Sequence, residues 1–218
     1  MTTTRRMMLG GAVAVPMLGL MASPASASVQ GGQQWGTVTG GWVEVWWTPQ
    51  AQAELDRIGA TVEATTPAEL VQDGQNRGVR FPVAESVWSP SPTNLGQVQG
   101  RGALAGGLSV RARRGEVRLS DMKGFLQGEE ATGRYTVNGT DAGVHPVFRV
   151  GLAEGRFTME PAGPGQAVRM GASGVPLYPT KETLEAFSRA FDMKVFSADT
   201  STALAHVTAE GQYAPPHA

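Results

Sequence analysis

The chain has 218 residues, of which 18 are basic and 19 acidic, and it contains no cysteine. Without cysteine it has no disulfide bonds, no thiolate metal site and no acylated cysteine that would tether it to a membrane. The net charge of −1 argues against nucleic acid or an anionic membrane as the main partner, because both select strongly basic proteins.

The first 27 residues have the order of an export signal: a cationic end, an apolar run and small residues. Arg5 and Arg6 lie in the stretch TRRMML, which resembles the twin-arginine export motif. An apolar run over residues 10–21 follows, and Ala25 and Ala27 form a small-x-small cleavage site. The sequence therefore predicts that the twin-arginine machinery exports the chain and that signal peptidase cleaves it after Ala27.

Cleavage would remove two of the 18 basic residues and none of the 19 acidic ones, so the mature chain would carry a net charge of −3. The apolar run is too short to remain as a stable transmembrane anchor. We therefore expect a secreted or extracytoplasmic protein, either free or associated with the cell wall. Residues 28–211 are long enough to form a single domain that is stabilised by its core alone.

Short runs of alternating apolar residues, separated by many of the 29 glycines, are typical of β-strands joined by turns. The pattern predicts a mainly β (α+β) protein, an antiparallel β-sandwich or meander with two short amphipathic helices. In chain order, the predicted elements are a strand at 42–47, a helix after Thr48, strands at 79–83, 108–112, 116–120, 134–137, 144–150, 156–159 and 167–170, a helix after Thr180, and a strand at 203–208.

The two helical segments resemble each other. In each, a threonine that can cap the helix follows a β-like run, and Leu55 in the first segment matches Phe187 in the second when Thr48 is placed over Thr180. We therefore interpret residues 41–63 and 173–196 as two related strand-helix units around a central meander. The remaining tail, residues 212–218, is predicted to be disordered.

The residues that usually perform catalysis or bind metals are sparse. Neither His145 nor His206 has a second histidine, cysteine or carboxylate at ligand spacing, and His217 lies in the tail. Nucleophile motifs are also missing, so we predict no catalytic residue and no metal site. A pair of carboxylates could still converge in a cleft; the candidates are Glu44, Asp121, Glu129, Glu130 and Asp141.

The stretch GWVEVWWT holds three of the five tryptophans. At a period of two, Trp42, Glu44 and Trp46 lie on one face of the strand and Trp47 on the other. One interpretation is a strand that is covered on both sides. The alternative is a ligand-binding platform formed by Trp42 and Trp46 around Glu44.

The stretches GVRFPV and GQVQGRGALAGGLSVRARRGEVRLSDMKGFL resemble the exported actinobacterial HtaA-type haem-uptake domain family. The shared elements are Phe81-Pro82, Gly106-Gly107-Leu108 and a hairpin that ends near Asp121. The resemblance covers residues 42–158 and implies a β-rich exported scaffold of the cell envelope or exterior.

In haem-binding members of that family, this region is similar to a His-Gly-Gly pattern, and a tyrosine near the start of the domain serves as haem ligand. Here Ala105 precedes the two glycines, and Trp46-Trp47 stands at the start of the domain. The sequence therefore predicts a distant non-haem relative without a cofactor. Tyr135 and His145 are the residues that remain as candidate ligands of a haem iron.

These observations favour a non-enzymatic protein that binds a small ligand or an envelope component, although they leave enzymatic activity open. The alternative is a secreted hydrolase that acts on a polymer such as a glycan.

Overall fold

The computed structural model describes residues 36–88, 100–125, 130–160, 163 and 166–214. The predicted export signal, with Arg5, Arg6, Ala25 and Ala27, lies outside them. Within the described residues the chain forms twelve strands and two α-helices, in the order β1 (Gly36–Trp47), α1 (Pro49–Arg57), β2 (Thr61–Thr65), β3 (Glu69–Asp73), β4 (Asn76–Trp88), β5 (Gly100–Leu104), β6 (Gly107–Ala112), β7 (Gly115–Phe125), β8 (Glu130–Val137), β9 (Thr140–Val150), β10 (Arg156–Glu160), β11 (Val168–Pro179), α2 (Lys181–Phe191) and β12 (Ala205–Ala214).

Eight of these strands close into an antiparallel barrel. Their order is β7-β5-β4-β1-β12-β11-β9-β8, and β8 pairs back onto β7 to complete the circle. The remaining strands extend the wall: β3 pairs with β4, β10 with β11, β6 with β7, and β2 with β6. The mainly β prediction is confirmed, but the predicted sandwich is wrong. Alternation along a strand shows which residues lie on each of its two faces. This alternation is the same in a sandwich and in a barrel, so it does not distinguish between them.

Irregularities in the strands help the sheet to curl. The pairing register shifts between Thr39 and Trp42 in β1 and between Ser120 and Lys123 in β7. Such bulges bend a strand and increase its twist. They also change which residues face the interior, and this change determines the lining of the site described below.

The two helices cover one end of the barrel. Thr48 Oγ1 accepts a hydrogen bond from the N–H of Ala51 (3.2 Å) at the start of α1, and Thr180 Oγ1 accepts one from the N–H of Thr183 (3.3 Å) at the start of α2. Both caps were predicted from the sequence, and both helices are present. No helix in the described ranges combines the length and apolarity needed to cross a bilayer.

The helix-covered end is densely packed. The ring of Phe187 lies 6.0 Å from that of Phe191 and 5.0 Å from that of Phe196, measured between centroids. These rings belong to the same buried cluster as Leu119 and Tyr135 of the barrel strands. The core therefore extends from the helices into the barrel without a break.

The two predicted strand-helix units correspond to β1 with α1 and β11 with α2, which flank β12 on its two edges. Whether they are an internal repeat stays a prediction.

The prediction of a disordered tail is wrong for residues 212–214, because Gln212 pairs with Thr39 on one side and with Arg169 on the other. Backbone pairing on both edges orders these residues. Residues 215–218 lie outside the described part.

Candidate functional site: a cavity in the barrel

The half of the barrel away from the helices contains a cavity of about 290 Å³. Its floor is formed by large side chains of the core, among them Trp47, Phe81, Leu119 and Leu177. Its walls continue toward the strand ends that lie farthest from α1 and α2. The volume is close to the lower end of the range for small-molecule sites, roughly 300–1,000 Å³.

Small residues at inward-facing positions create this space. Gly102 pairs with Gly124, and Gly124 pairs with Ala131, so three neighbouring strands bring almost no side chain into the barrel at this level. On the opposite wall, Ala172 pairs with Ala209. An eight-stranded barrel is just wide enough for ordinary side chains to fill it. A Cβ atom added to Gly124 would meet no atom within 4 Å, which shows that the space beside it is open.

Larger and softer side chains complete the wall. Phe148 and Phe157 line the cavity, as do three methionines, Met122, Met159 and Met170. Met159 pairs directly with Met170, and its side chain is 38% exposed, which places this pair at the edge of the cavity. Methionine is flexible and polarizable, so these side chains can adapt to guests of different shape.

Charged residues border the cavity but alternate with the residues that face it. Arg101 precedes Gly102 and Lys123 precedes Gly124, and both charged side chains are exposed. Glu210 also borders the cavity, and it forms an ion pair with Arg169 at 3.0 Å. By strand alternation, no ionised side chain among the described residues is directed into the interior.

Sequence reasoning did not find this cavity. The signal is present as small residues at alternate positions of β5, in the stretch GRGAL, and as Gly124 near the end of β7. Because the bulge between Ser120 and Lys123 shifts the phase of β7, alternation counted from the buried Leu119 would place Gly124 on the wrong face.

The predicted platform of Trp42, Glu44 and Trp46 lies on the outer face of β1, where Trp42 borders the cavity and Glu44 and Trp46 do not line it. Glu44 is only 6% exposed. Its Oε1 accepts hydrogen bonds from Nε and Nη2 of Arg80 (2.8 and 2.6 Å), and its Oε2 accepts one from Trp46 Nε1 (3.1 Å). The Arg80 guanidinium also lies 5.0 Å from the centroid of the Trp42 ring. Arg80, which the sequence did not indicate, thus joins the predicted residues into one patch.

Both indoles of this patch are partly buried and neither is fully enclosed. The ligand-platform hypothesis stays a prediction. Trp47, by contrast, faces the interior and is 7% exposed, as expected for a core residue.

The candidate haem ligands Tyr135 and His145 lie close together, with ring centroids 6.3 Å apart, but not at the cavity. Tyr135 is buried beneath α2, where its hydroxyl group donates to the carbonyl of Pro146 (3.2 Å) and lies 2.6 Å from Thr183 Oγ1. Burial raises the pKa of Tyr135, so its phenol stays protonated. His145 is exposed, and its Nε2 lies 2.8 Å from the carbonyl oxygen of Ala142.

The candidate carboxylates Asp121 and Asp141 lie on the exposed surface and not in a cleft. Arg134 bonds to Asp121 (3.1 Å) and Asp141 (2.9 Å) on the exposed surface. The backbone N–H of Gly143, together with Arg134, lowers the pKa of Asp141, whereas a general acid needs a raised pKa. Glu129 lies outside the described residues. Within the described ranges, no group of three or more His, Cys, Asp or Glu residues could hold a metal ion.

No protein-family model matches this sequence, and no curated protein matches it. Among solved structures, the chain is similar to the C-terminal domain of HtaA from Corynebacterium glutamicum, with a TM-score of 0.50 and 10% identity over 83% of this chain and 99% of that one. It is also similar to the haem-binding protein HtaB from the same organism, with a TM-score of 0.44 and 12% identity over 83% and 96% of the two chains.

The resemblance proposed from the sequence is thereby confirmed at the level of the fold: this chain has an HtaA-like fold. The prediction of no cofactor, with haem disfavoured, is contradicted by this comparison, because the chain has an HtaA-like fold at only 10% identity, so the missing ligand pattern is no ground for rejecting haem. That prediction was based on the lack of a His-Gly-Gly pattern and of a tyrosine at the positions where haem-binding members of the family have them. At 10% identity, a common fold does not preserve residue positions closely enough for such an exclusion.

Proposed function

We propose that this chain is a non-enzymatic, exported binding protein that holds an apolar ligand inside its barrel. The observation that carries the proposal is the cavity of about 290 Å³, which exists because Gly102, Gly124 and Ala131 stand where larger side chains would fill the barrel. Natural cores are close-packed, so a space of this size in an otherwise dense barrel favours a binding role.

The chemistry of the wall defines what can enter. Aliphatic, aromatic and thioether side chains line the interior, and a cavity with such a lining stays dry and accepts apolar guests. Binding then buries apolar surface on both partners, which is favourable by about 25 cal/mol for each Å².

Haem belongs among the ligands to be tested. The apolar wall fits the faces of a porphyrin ring, and the thioethers of Met122, Met159 and Met170 are the iron-ligating groups that the described lining offers. Bound haem would supply an iron centre that can coordinate small ligands or accept an electron. The contribution of this chain would be to enclose the ring and exclude water from its faces.

The test is a titration with Nile red, an apolar dye whose fluorescence rises in dry surroundings, followed by displacement with hemin and with metal-free protoporphyrin. Gly124→Leu should abolish saturable dye binding, because the new side chain would occupy the open space beside Gly124. Glu130→Leu is the matched control, because it adds the same side chain at an exposed position that does not line the cavity. Equal dye binding by Gly124→Leu and the wild type would contradict the proposal.

Export through the twin-arginine route is part of the proposal and is supported by the sequence alone. Replacing Arg5 and Arg6 with lysine should stop the mature protein from appearing outside the cytoplasm, as measured by immunoblotting of cell fractions. Undiminished export would refute that route without affecting the binding proposal.

A further inference from the structure

We infer that the ligand is a single-chain amphipath, with a hydrocarbon chain inside the barrel and an anionic group at the edge beside Lys123 and Arg101. This inference rests on the proposed function and names the class of ligand for the same cavity. It follows from the different chemistry of the interior and the edge.

The interior excludes an ionised group. The inward-facing residues are glycine, alanine, aliphatic, aromatic and methionine side chains, and Ser86, which pairs with Gly102, contributes a hydroxyl group. An isolated charge in such surroundings is strongly destabilised unless it has a charged or hydrogen-bonding partner. A ligand with a carboxylate would therefore keep that group outside while its chain enters.

The edge, in contrast, is cationic. Arg101 pairs with Phe125 and Lys123 pairs with Ala103, so the two basic side chains are diagonal neighbours on the same side of the sheet, about 7–8 Å apart at their backbones. Lys123 forms no ion pair or hydrogen bond with any described residue. Glu210, the one acidic residue described among those lining the cavity, is already paired with Arg169. Glu130 lies on the same face as Lys123, but it pairs across the strands with Arg149, so the basic residues outnumber the acidic one on this face and the local field favours an anion.

The size of the cavity restricts the apolar part of the ligand. A volume of about 290 Å³ falls near the lower limit of about 300 Å³ for small-molecule pockets. This space suits one hydrocarbon chain rather than the paired chains of a bilayer lipid. Met122, Met159 and Met170 can adjust around chains of different length because their side chains are flexible.

The experiment compares dodecanoate with dodecanol, which share one chain and differ in charge, by displacement of Nile red from the purified protein. Lys123→Glu should weaken dodecanoate binding by up to about fivefold, as expected for loss of an exposed ion pair, and leave dodecanol binding unchanged. Lys194→Glu is the charge-matched control at the helix-covered end, and it should alter neither. Circular dichroism should show that both variants are folded.

The outcomes separate the two proposals. Equal binding of dodecanoate and dodecanol, unaffected by Lys123→Glu, would overturn the anionic-head inference and leave the cavity as an apolar site. Strong displacement by protoporphyrin with no effect of either aliphatic ligand would also overturn it. Failure of the wild type to bind Nile red saturably would refute the proposed function itself, and this inference with it.

Discussion

The two ends of the barrel are built from the same strands but contain side chains of very different size. At the helix-covered end, β7 and β8 bring Leu119 and Tyr135 inward, and Phe187 and Phe191 of α2 pack against the same cluster. At the other end, the same two strands bring Gly124 and Ala131 inward. One end is therefore a close-packed core and the other a cavity.

The barrel by itself therefore does not create a binding site. The hydrogen-bonded circle of strands passes through both ends, and only the size of the inward-facing residues changes between them. Stability should thus depend mainly on the helix-covered end, whereas ligand binding should depend on the open end. Mutations at matched positions can test this division.

The largest expected effect on stability comes from a substitution at the helix-covered end. Phe191→Ala would remove a ring that is 1% exposed, and it should lower the free energy of unfolding by about 3–5 kcal/mol. Met170→Ala at the cavity should cost less than about 2 kcal/mol, since its side chain already adjoins open space and loses fewer contacts. Urea unfolding with an unchanged m-value would measure both. Similar losses from the two variants would contradict the division.

An intermediate effect on stability is expected when an alanine at each end of the barrel is replaced by the larger leucine. Ala190 is 2% exposed within α2, so Ala190→Leu should overpack the core and cost about 1–3 kcal/mol. Ala131→Leu introduces the same side chain beside the cavity, where it should be tolerated or even raise the midpoint of thermal unfolding. A comparison of the two thermal midpoints by calorimetry checks this prediction. A loss in Ala131→Leu as large as that in Ala190→Leu would show that the open end is also tightly packed.

The smallest effect at neutral pH concerns the hydroxyl group of Tyr135. Tyr135→Phe removes its contacts to Thr183 and to the carbonyl of Pro146, and it should cost about 1 kcal/mol. Thr183 keeps its hydrogen bond to the carbonyl of Val147 (2.5 Å), which limits the loss.

The same variant should change the stability at alkaline pH. Burial raises the pKa of Tyr135 in the folded chain above its value of about 10 in the unfolded chain. The folded state thus holds this proton more tightly, and the resulting stability is complete below pH 10 and is lost as the pH rises above it, by up to about 1.4 kcal/mol for each pH unit. Unfolding measured above pH 10 should show a shallower decline for Tyr135→Phe. Parallel declines would mean that Tyr135 ionises without unfolding.

Much of the local structure could be predicted from the sequence, because it depends on residues that are near each other along the chain. Period-two alternation correctly separated Trp47, which is buried, from the face of β1 that carries Trp42 and Trp46, and the capping threonines Thr48 and Thr180 correctly located both helices. Each of the nine predicted strands overlaps an observed strand, but most observed strands extend well beyond the predicted bounds, and β2, β3 and β5 were missed.

Closure of the barrel could not be predicted in this way. It depends on pairings between strands that are distant along the chain, such as β1 with β12, and on bulges whose positions are set by tertiary contacts. The cavity was missed for the same reason, since Gly124 faces inward only after the bulge in β7. Likewise, the role of Arg80 arises from a partner 36 residues away, Glu44, and local sequence patterns do not report such pairings.

The most direct test of the central claim is a crystal structure of the protein under xenon pressure. Xenon enters dry apolar cavities and is readily located by its electron density. We expect a xenon atom inside the barrel beside Gly102, Gly124 and Ala131 in the wild type, and none there in Gly124→Leu. Ordered water at that position, or a xenon site that persists in Gly124→Leu, would contradict the account of a dry cavity formed by small inward-facing residues.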